Sequence, residues 1–565
     1  MQLQGQHVLI LGLGASGLAM ARWCAHAGAN VTVADTRAAP PQLAALQAEW
    51  PSVRFVAGPL SADLVQGTSV RAVFRSPGLA PDVVAPVVDA AQAMGLWQGG
   101  ELTLFAAALS ELNTRCAYRP HVLAITGTNG KTTVTSLTGQ LVARAGKSVQ
   151  VAGNIGPTLL DTLTQALAQA QAQIDAQAEA DAQTEAEAQA EVQAHTEAET
   201  ETEAEVPSPA ESVLDQAVSV PVAIQRHPLA AALPEVWVLE LSSFQLDSSE
   251  GFEPTAATVL NVSQDHLDWH GDMSAYAAAK SRIFGGLTLM VLNREEPLVM
   301  AMRPAPVRVK LQKPIERECL LFGGDMPQRP GDFGIEVANG MTWLVRALEA
   351  DETRRRRKDQ EEDLHIQRLI PADALRIRGR HNAVNALAAL ALASSAGCAL
   401  GPMLYGLREY RGEPHRVEPV AIIDGVEFFD DSKGTNVGAT VAALKGLGAD
   451  RRVVVIMGGE GKGQDFMPLA DPVSRFARAV VLIGRDAPLI RAALQDTAVA
   501  LHDAADMPAA VSLAAQLAQS GDAVLMSPAC ASFDMFDHYV HRAEEFVQAV
   551  SELAETAGVV MEGGL

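Results

Sequence analysis

Three times along 565 residues, a run of β-branched and leucine residues stops at a glycine and passes into an alanine- and leucine-rich stretch. The runs occupy residues 8–11 before Gly12, 122–125 before Gly127 and 453–456 before Gly458. A short buried strand, a glycine turn and a helix, repeated in series, fold as parallel strands joined by crossover helices. No short-period repeat is present, which argues against a solenoid or a propeller. The pattern predicts an α/β chain of three consecutive domains with mostly parallel sheets, divided as residues 1–112, 113–411 and 412–565. At about 150 residues per folding unit the length suits three or four of them.

The first turn, Gly12-Leu13-Gly14-Ala15-Ser16-Gly17, follows a strand and opens a helix, and Asp35 ends the next strand. This is the Rossmann-like dinucleotide fingerprint in its proper context: glycines let the backbone approach a pyrophosphate at a helix N-terminus, and the carboxylate suits a ribose hydroxyl. Any nucleotide diphosphate fits that cradle, so a nicotinamide enzyme and other nucleotide users both stay open on this motif. The second turn, Thr126-Gly127-Thr128-Asn129-Gly130-Lys131-Thr132-Thr133, is a shortened phosphate loop. Its N–H groups would cradle a polyphosphate, Lys131 would neutralise β/γ oxygens and the Thr132 hydroxyl would ligate Mg²⁺. The two motifs in one chain disfavour a simple dehydrogenase and point to a substrate activated by ATP.

Charge narrows the classes further. Lys and Arg number 43 against 67 Asp and Glu, a net charge of -24, the wrong sign for coating nucleic acid. Residues 170–206 carry eleven acids and no Lys or Arg. Alanine there alternates with Gln, Glu or Thr, so a helix would have no apolar stripe and could add no core. A solvated helix and a disordered loop both fit this passive insert of about residues 165–232. The basic run 354–358 has acids on both sides and is a self-neutralising surface loop within about residues 349–368. Five scattered cysteines without a C-x-x-C pair, and no secretory leader, predict a cytoplasmic protein. The Ala-rich stretch 383–400, broken by Asn385, Ser394, Ser395 and Gly397, reads as a buried helix, not a membrane span.

Two more strand ends carry polar groups. Residues 236–239 lead into Glu240-Leu241-Ser242-Ser243, and residues 258–260 lead into Asn261-Val262-Ser263-Gln264-Asp265-His266. Carboxylate and imidazole at strand ends suit Mg²⁺ and phosphate, because α/β sites assemble there. With these residues the chain resembles the Mur ligases, which build the peptide stem of peptidoglycan. The likeness takes in the short phosphate loop, Glu240 and His266, Gly153-Asn154-Ile155-Gly156, Tyr276-Ala277-Ala278-Ala279-Lys280 and Gly379-Arg380-His381-Asn382-Ala383-Val384-Asn385. Residues 428–436, 457–463 and 527–534 are similar to segments of the member that adds D-glutamate; a member adding another amino acid is the alternative.

The resemblance implies an ATP-dependent, amide-forming ligase of UDP-N-acetylmuramoyl-L-alanine and D-glutamate, monomeric, without nucleic acid or membrane span. It implies that the first domain holds UDP through Leu13, Gly14, Ser16, Asp35, Thr36, Arg37 and Ser76, with Asn154, Ser242 and His266 also on this substrate. ATP falls to Gly127, Thr128, Asn129, Gly130, Lys131, Thr132, Thr133, Asn382, Asn385, Arg416 and Asp431. D-Glutamate falls to Thr435, Lys462, Ser532, Phe533 and Tyr539, a set whose cation and hydroxyls suit two carboxylates. Two Mg²⁺ ions would use Thr132, Glu240, His266 and a carbamylated Lys280; Lys131, His266, Lys280, Arg416 and Lys433 form the catalytic set. Ligands shared among three domains imply a closure about Gly412, so without substrates Arg416 and Lys462 are expected to stand away from the ATP loop. The rivals, a nicotinamide oxidoreductase and a scaffold without chemistry, leave Lys131-Thr132-Thr133 or the rest of the constellation unexplained.

Overall fold

The computed structural model describes residues 3–199, 227–308, 314–350, 364–449 and 451–559. The first sheet is built from β1 (His7–Leu11), β2 (Asn30–Asp35), β3 (Arg54–Ala57), β4 (Val70–Arg75) and β5 (Trp97–Gly99), parallel throughout in the order β3-β2-β1-β4-β5. The order reverses between β1 and β4, which opens a crevice at their C-terminal ends. Gly17 shows how tightly the loop there is wound: a Cβ on it would lie 2.0 Å from the Gly12 carbonyl oxygen.

The second sheet holds β6 (His121–Thr126), β7 (Val149–Gly153), β8 (Val236–Glu240), β9 (Ala256–Val259), β10 (Leu289–Asn293) and β11 (Cys319–Phe322). It is parallel in the order β11-β10-β9-β6-β8-β7, so β6 and the phosphate loop sit at its centre. A small antiparallel sheet follows, of β12 (Phe333–Ala338), β13 (Met341–Glu349) and β14 (Leu364–Pro371). The fourth sheet contains β15 (Glu418–Ile423), β16 (Val426–Asp430), β17 (Val453–Gly458), β18 (Ala477–Ile483), β19 (Ala500–Asp503) and β20 (Ala523–Met526). Its order is β15-β16-β20-β17-β18-β19, with only the edge strand β15 antiparallel. The fold is thus the mostly parallel α/β architecture that the glycine turns predict.

The Ala-rich stretch is helix Arg380–Ser395, buried from Ala386 to Ala393 without a break. Small side chains on every face let it pack closely against helix Lys131–Arg144 behind the phosphate loop. No helix among the described residues is long and apolar enough to cross a membrane.

The acidic insert begins as a core element. Helix Leu159–Glu199 buries Leu159, Leu160, Leu163, Ala166 and Ala170 against helices Ala15–His26 and Glu101–Cys116, each leucine contributing about 1.5–3 kcal/mol. Residues 171–189 then run exposed, Ile174 alone being half-buried. Of the two conformations the composition allows, these residues take the helix, with Gln171, Gln177 and Gln183 donating to Asp175, Asp181 and Glu187 one turn on. The insert's residues 200–226 and the charged run 354–358 lie outside the described residues.

Candidate active site

The centre of the middle sheet collects the predicted ATP residues. Gly127 and Gly130 have φ of 157° and 83°, and Cβ atoms on them would press on Leu260 and Asn385 at 3.0 and 2.9 Å, so glycine is required at both. The loop between them is tied down from the β9 side. Asn261 accepts the Asn129 N–H at 2.8 Å and donates to the Asn129 carbonyl at 3.0 Å. The Thr128 hydroxyl accepts from the Ser263 N–H at 3.0 Å. Thr133 is buried in the first turn of helix Lys131–Arg144.

Two amines meet beneath this loop. Lys131 Nζ donates to the carbonyls of Gly127 and Thr128 at 3.0 and 2.9 Å. Lys280, 1% exposed, donates to the same Gly127 oxygen at 2.9 Å and lies 4.5 Å from the Tyr276 ring centroid. Burial, then the Lys131 charge, holds the Lys280 amine well below the ordinary lysine range. Desolvation also lowers Lys131, with Arg416 and Lys433 adding repulsion against the attraction of Glu240 and Asp265.

Glu240 ends β8, pairing with Ile125 of β6. It is 2% exposed; Oε1 accepts from the Asn154 amide at 2.8 Å, and Oε2 is buried without a hydrogen-bond partner. A buried carboxylate oxygen left unpaired is costly unless a cation completes it. His266 stands in a left-handed turn (φ 53°), its side chain about half exposed and edge-on to Phe244, and partial desolvation lowers its imidazole from the ordinary value. Thr132 Oγ1, Glu240, His266 and Lys280 are oxygen and nitrogen groups that fit magnesium if Lys280 gains a carboxylate as a carbamate.

Helix Arg380–Ser395 brings Asn385 against Gly130 of the loop, with Asn382 one turn before it. Asn385 donates to Asn382 at 3.2 Å, and Asn382 donates to the Arg378 carbonyl at 2.9 Å.

The C-terminal unit meets this loop directly. Arg416 Nη2 donates to the Thr132 hydroxyl at 2.7 Å. Asn436 exchanges amide hydrogen bonds with Asn129 at 3.1 and 3.2 Å. Arg416 thus stands in contact with the ATP loop, the arrangement expected of the closed form. Lys462 is exposed with φ 51°, 5.3 Å from the centroid of Phe533, and makes no such contact among the described residues.

Of the remaining acceptor residues, Tyr539 meets Lys433 and Phe533 lies beside Lys462. Lys433 Nζ donates to the Tyr539 hydroxyl at 2.8 Å. Thr435 is half-buried, Ser532 is 3% exposed, and Phe533 is 64% exposed, an apolar ring facing solvent. Asp431 is buried; Ser527 donates to it at 2.7 Å, and desolvation pushes its carboxyl up to about 7.

In the first unit Leu13, Gly14 and Ser16 lie at the β1 end of the crevice and Ser76 at the β4 end; Thr36 and Arg37 are exposed beyond β2. Asp35 is differently employed from a free ribose ligand. It is fully buried, accepting the Leu13 N–H at 2.8 Å and forked by Arg37 at 2.9 and 2.8 Å. Its carboxylate holds the glycine loop in place in this conformation. Ser242 caps helix Ser243–Asp247 reciprocally with Gln245.

Sequence reasoning missed Glu101 and the Asn129–Asn436 pair. Glu101, 2% exposed, accepts the Leu160 N–H at 3.0 Å, keeps Oε2 unpartnered, and is raised by burial. An acid opening a helical run is an ordinary helix-start signal, so nothing local marked it. Asn436 had a signal, as the cap residue before the run 437–447.

The chain matches models of the MurD-like Mur ligase N-terminal domain over residues 6–97, the Mur ligase middle domain over residues 125–311 and the Mur ligase glutamate ligase domain over residues 415–530. It is 63% identical over 561 residues to the UDP-N-acetylmuramoylalanine–D-glutamate ligase of Albidiferax ferrireducens, covering 99% of each chain. It is 50% identical over 565 residues to the ligase of the same name from Burkholderia mallei, covering 98% of each. Among solved structures it is similar to the UDP-N-acetylmuramate–alanine ligase of Thermotoga maritima, with a TM-score of 0.48 and 17% identity over 97% of this chain and 99% of that one.

Proposed function

Because this chain belongs to the Mur ligase family, we infer that it joins D-glutamate to the L-alanine carboxylate of UDP-N-acetylmuramoyl-L-alanine, with ATP as co-substrate, in peptidoglycan precursor synthesis. The observation that carries the mechanism is the gathering of Lys131, Lys280 and Arg416 around residues 126–132, supplied by two α/β units.

A carboxylate oxygen of the L-alanine attacks the γ-phosphorus of ATP, the bond to the bridging oxygen breaks, and ADP leaves. The acyl phosphate so formed is attacked at its carbonyl carbon by the D-glutamate amine, which loses its proton as phosphate departs. Lys131 and Arg416 offset charge on the transferring phosphoryl group, and Lys433 adds to the positive field. Asn382 and Asn385 are the residues offered to the nucleotide base, Asn385 standing against Gly130 of the loop. Lys462, Thr435 and Ser532 offer a cation and hydroxyls to the two acceptor carboxylates, with Phe533 and Tyr539 beside them.

The unpartnered Glu240 oxygen favours a divalent cation, with Thr132, His266 and carbamylated Lys280 as further ligands. Bound there, Mg²⁺ would neutralise phosphate charge and polarise the phosphoryl oxygens. A deprotonated Lys280 amine has the lone pair needed to add CO₂, and its burial favours that form.

The test is phosphate release from Mg-ATP with UDP-N-acetylmuramoyl-L-alanine and, separately, D-glutamate, L-glutamate, L-alanine or a diamino acid, with mass detection of product. Release and the matching mass gain are expected with D-glutamate alone. Release with another acceptor overturns the pocket assignment, and the lack of release with every acceptor overturns the ligase reading.

A further inference from the structure

The residue before the phosphate-loop arginine is held more firmly than a linker needs. His415 and Val417 both have left-handed backbones, φ 62° and 51°. For a β-branched valine that is a true outlier, and such strain persists only where the surroundings over-determine it. Here they do. The His415 N–H donates to Glu418 at 2.7 Å, its carbonyl accepts the Lys433 N–H at 3.2 Å, and its Nδ1 lies 2.7 Å from Asp430 Oδ2. A carboxylate can only accept, so Nδ1 carries the proton. Asp430 is 1% exposed and fixed in turn by the Ser432 N–H at 2.9 Å. Glu418 and Asp430 are cross-strand partners on β15 and β16, so the whole clamp is anchored to the sheet.

The side-chain ligand atoms of His415, Glu418 and Asp430 lie within 4.8 Å of one another, but His415 itself occupies both carboxylates, which marks a hydrogen-bonded clamp and not a metal site. Between the two left-handed residues Arg416 projects to Thr132.

We propose that His415 is a positioning residue: its imidazole, clamped by Asp430, sets the backbone kink that delivers Arg416 to the phosphate loop. The Lys433 N–H bond to the His415 carbonyl is a backbone contact that a side-chain substitution at 415 keeps, so the imidazole acts on turnover through Arg416. Hydrogen bonding to Asp430 raises the imidazole above its ordinary value, which strengthens the clamp at neutral pH. The proposal rests on the reading of Arg416 as the residue that meets the phosphates of ATP.

The test uses the full-length chain as His415→Ala, His415→Asn, His415→Gln, Arg416→Ala and the His415→Ala/Arg416→Ala double variant, assayed by phosphate release. His415→Ala is expected to lower kcat about 100-fold, the scale of a misplaced catalytic group, with Kd for the UDP substrate within about twofold of wild type. Asn keeps a donor near Nδ1 and tolerates left-handed backbone, so it should recover to within about tenfold, whereas Gln, whose donor lies farther out, should not. Because His415 acts through Arg416, the double variant should be no slower than Arg416→Ala alone.

Wild-type rates in His415→Ala, or a full additional loss in the double variant, overturn the positioning role while leaving Arg416 in place. Wild-type rates in Arg416→Ala remove the Arg416 reading and this inference with it. Should His415→Ala not fold, the Asn and Gln variants decide, and equal rates in those two overturn the proposal.

Discussion

Lys131 and Lys280 meet at one acceptor: both amines donate to the carbonyl oxygen of Gly127, at 3.0 and 2.9 Å. Two amines around one oxygen repel if both are charged, and the Lys131 charge adds to burial in lowering the proton affinity of Lys280. A γ-phosphate would give Lys131 a better partner than a neutral carbonyl does. Lys131→Ala should therefore lower kcat by about 10³-fold, the scale of lost transition-state charge stabilisation, while titration calorimetry shows an unchanged Kd for the UDP substrate. ATP-driven turnover at the wild-type rate would remove the phosphate assignment.

Lys280 has the converse dependence. A buried amine held in its neutral form adds CO₂ reversibly, so activity should fall in CO₂-free buffer and return on adding bicarbonate. Lys280→Ala should be inactive under both conditions. A rate indifferent to CO₂, with Lys280→Ala inactive, would leave the lysine essential but exclude the carbamate.

Much of this arrangement was legible in the chain because its signals are local. A β-branched run ending in Gly12, Gly127 or Gly458 specifies strand, turn and helix within a few residues, and all three strands form as predicted. The phosphate loop is equally local. What could not be read was pairing at a distance: Asn129 with Asn436, Arg416 with Thr132, Glu101 with Leu160. Each depends on how separate units pack, and no spacing along the chain encodes it. The acidic insert was ambiguous for another reason, since alanine, glutamine and glutamate are as content in a solvated helix as in solvated coil.

Asp35 links the glycine loop to acid stability. Its hydrogen bonds from Arg37, and those from the backbone N–H groups, hold its carboxyl down at about 2 against an ordinary 3.8. A depressed acid contributes stability above its unfolded value and loses it as the pH falls through the folded one; a depression of this size corresponds to about 2 kcal/mol. Asp35→Asn should cost stability of that order at pH 7, with the gap to wild type narrowing below about pH 4. Chemical denaturation at pH 7 and near pH 3 checks this, and an equal gap at both would show that the charge of Asp35 contributes nothing.

The helical arm divides at Ala170. Up to that residue it is packed, and beyond it the side chains through residue 189 are solvated. The arm also packs on helix Pro228–Ala232, where the chain returns. Replacing residues 175–224 by a short Gly/Ser linker should leave kcat within about twofold, as expected of a surface insertion. Leu163→Ala, inside the packed part, should cost about 2–5 kcal/mol. A folded deletion variant with a large fall in kcat would give the arm a part in catalysis.

Asn436 does two jobs that a single substitution can separate. Its Oδ1 accepts the Ala439 N–H at 2.9 Å and so caps helix Val437–Leu447, while its Nδ2 donates to Asn129 at 3.1 Å and faces Asp265 at 3.4 Å. Aspartate is as good a cap as asparagine, and alanine costs about 1 kcal/mol there. Asn436→Asp keeps the cap, loses the donor and sets a carboxylate against Asp265. Asn436→Ala should thus lower the Tm, whereas Asn436→Asp should hold it and still lose about tenfold or more in kcat/KM for ATP, since one lost charge-sensitive contact is worth about 1.4 kcal/mol. Wild-type kinetics in the aspartate variant would mean that the hydrogen bond Asn436 donates to Asn129 is not used in turnover.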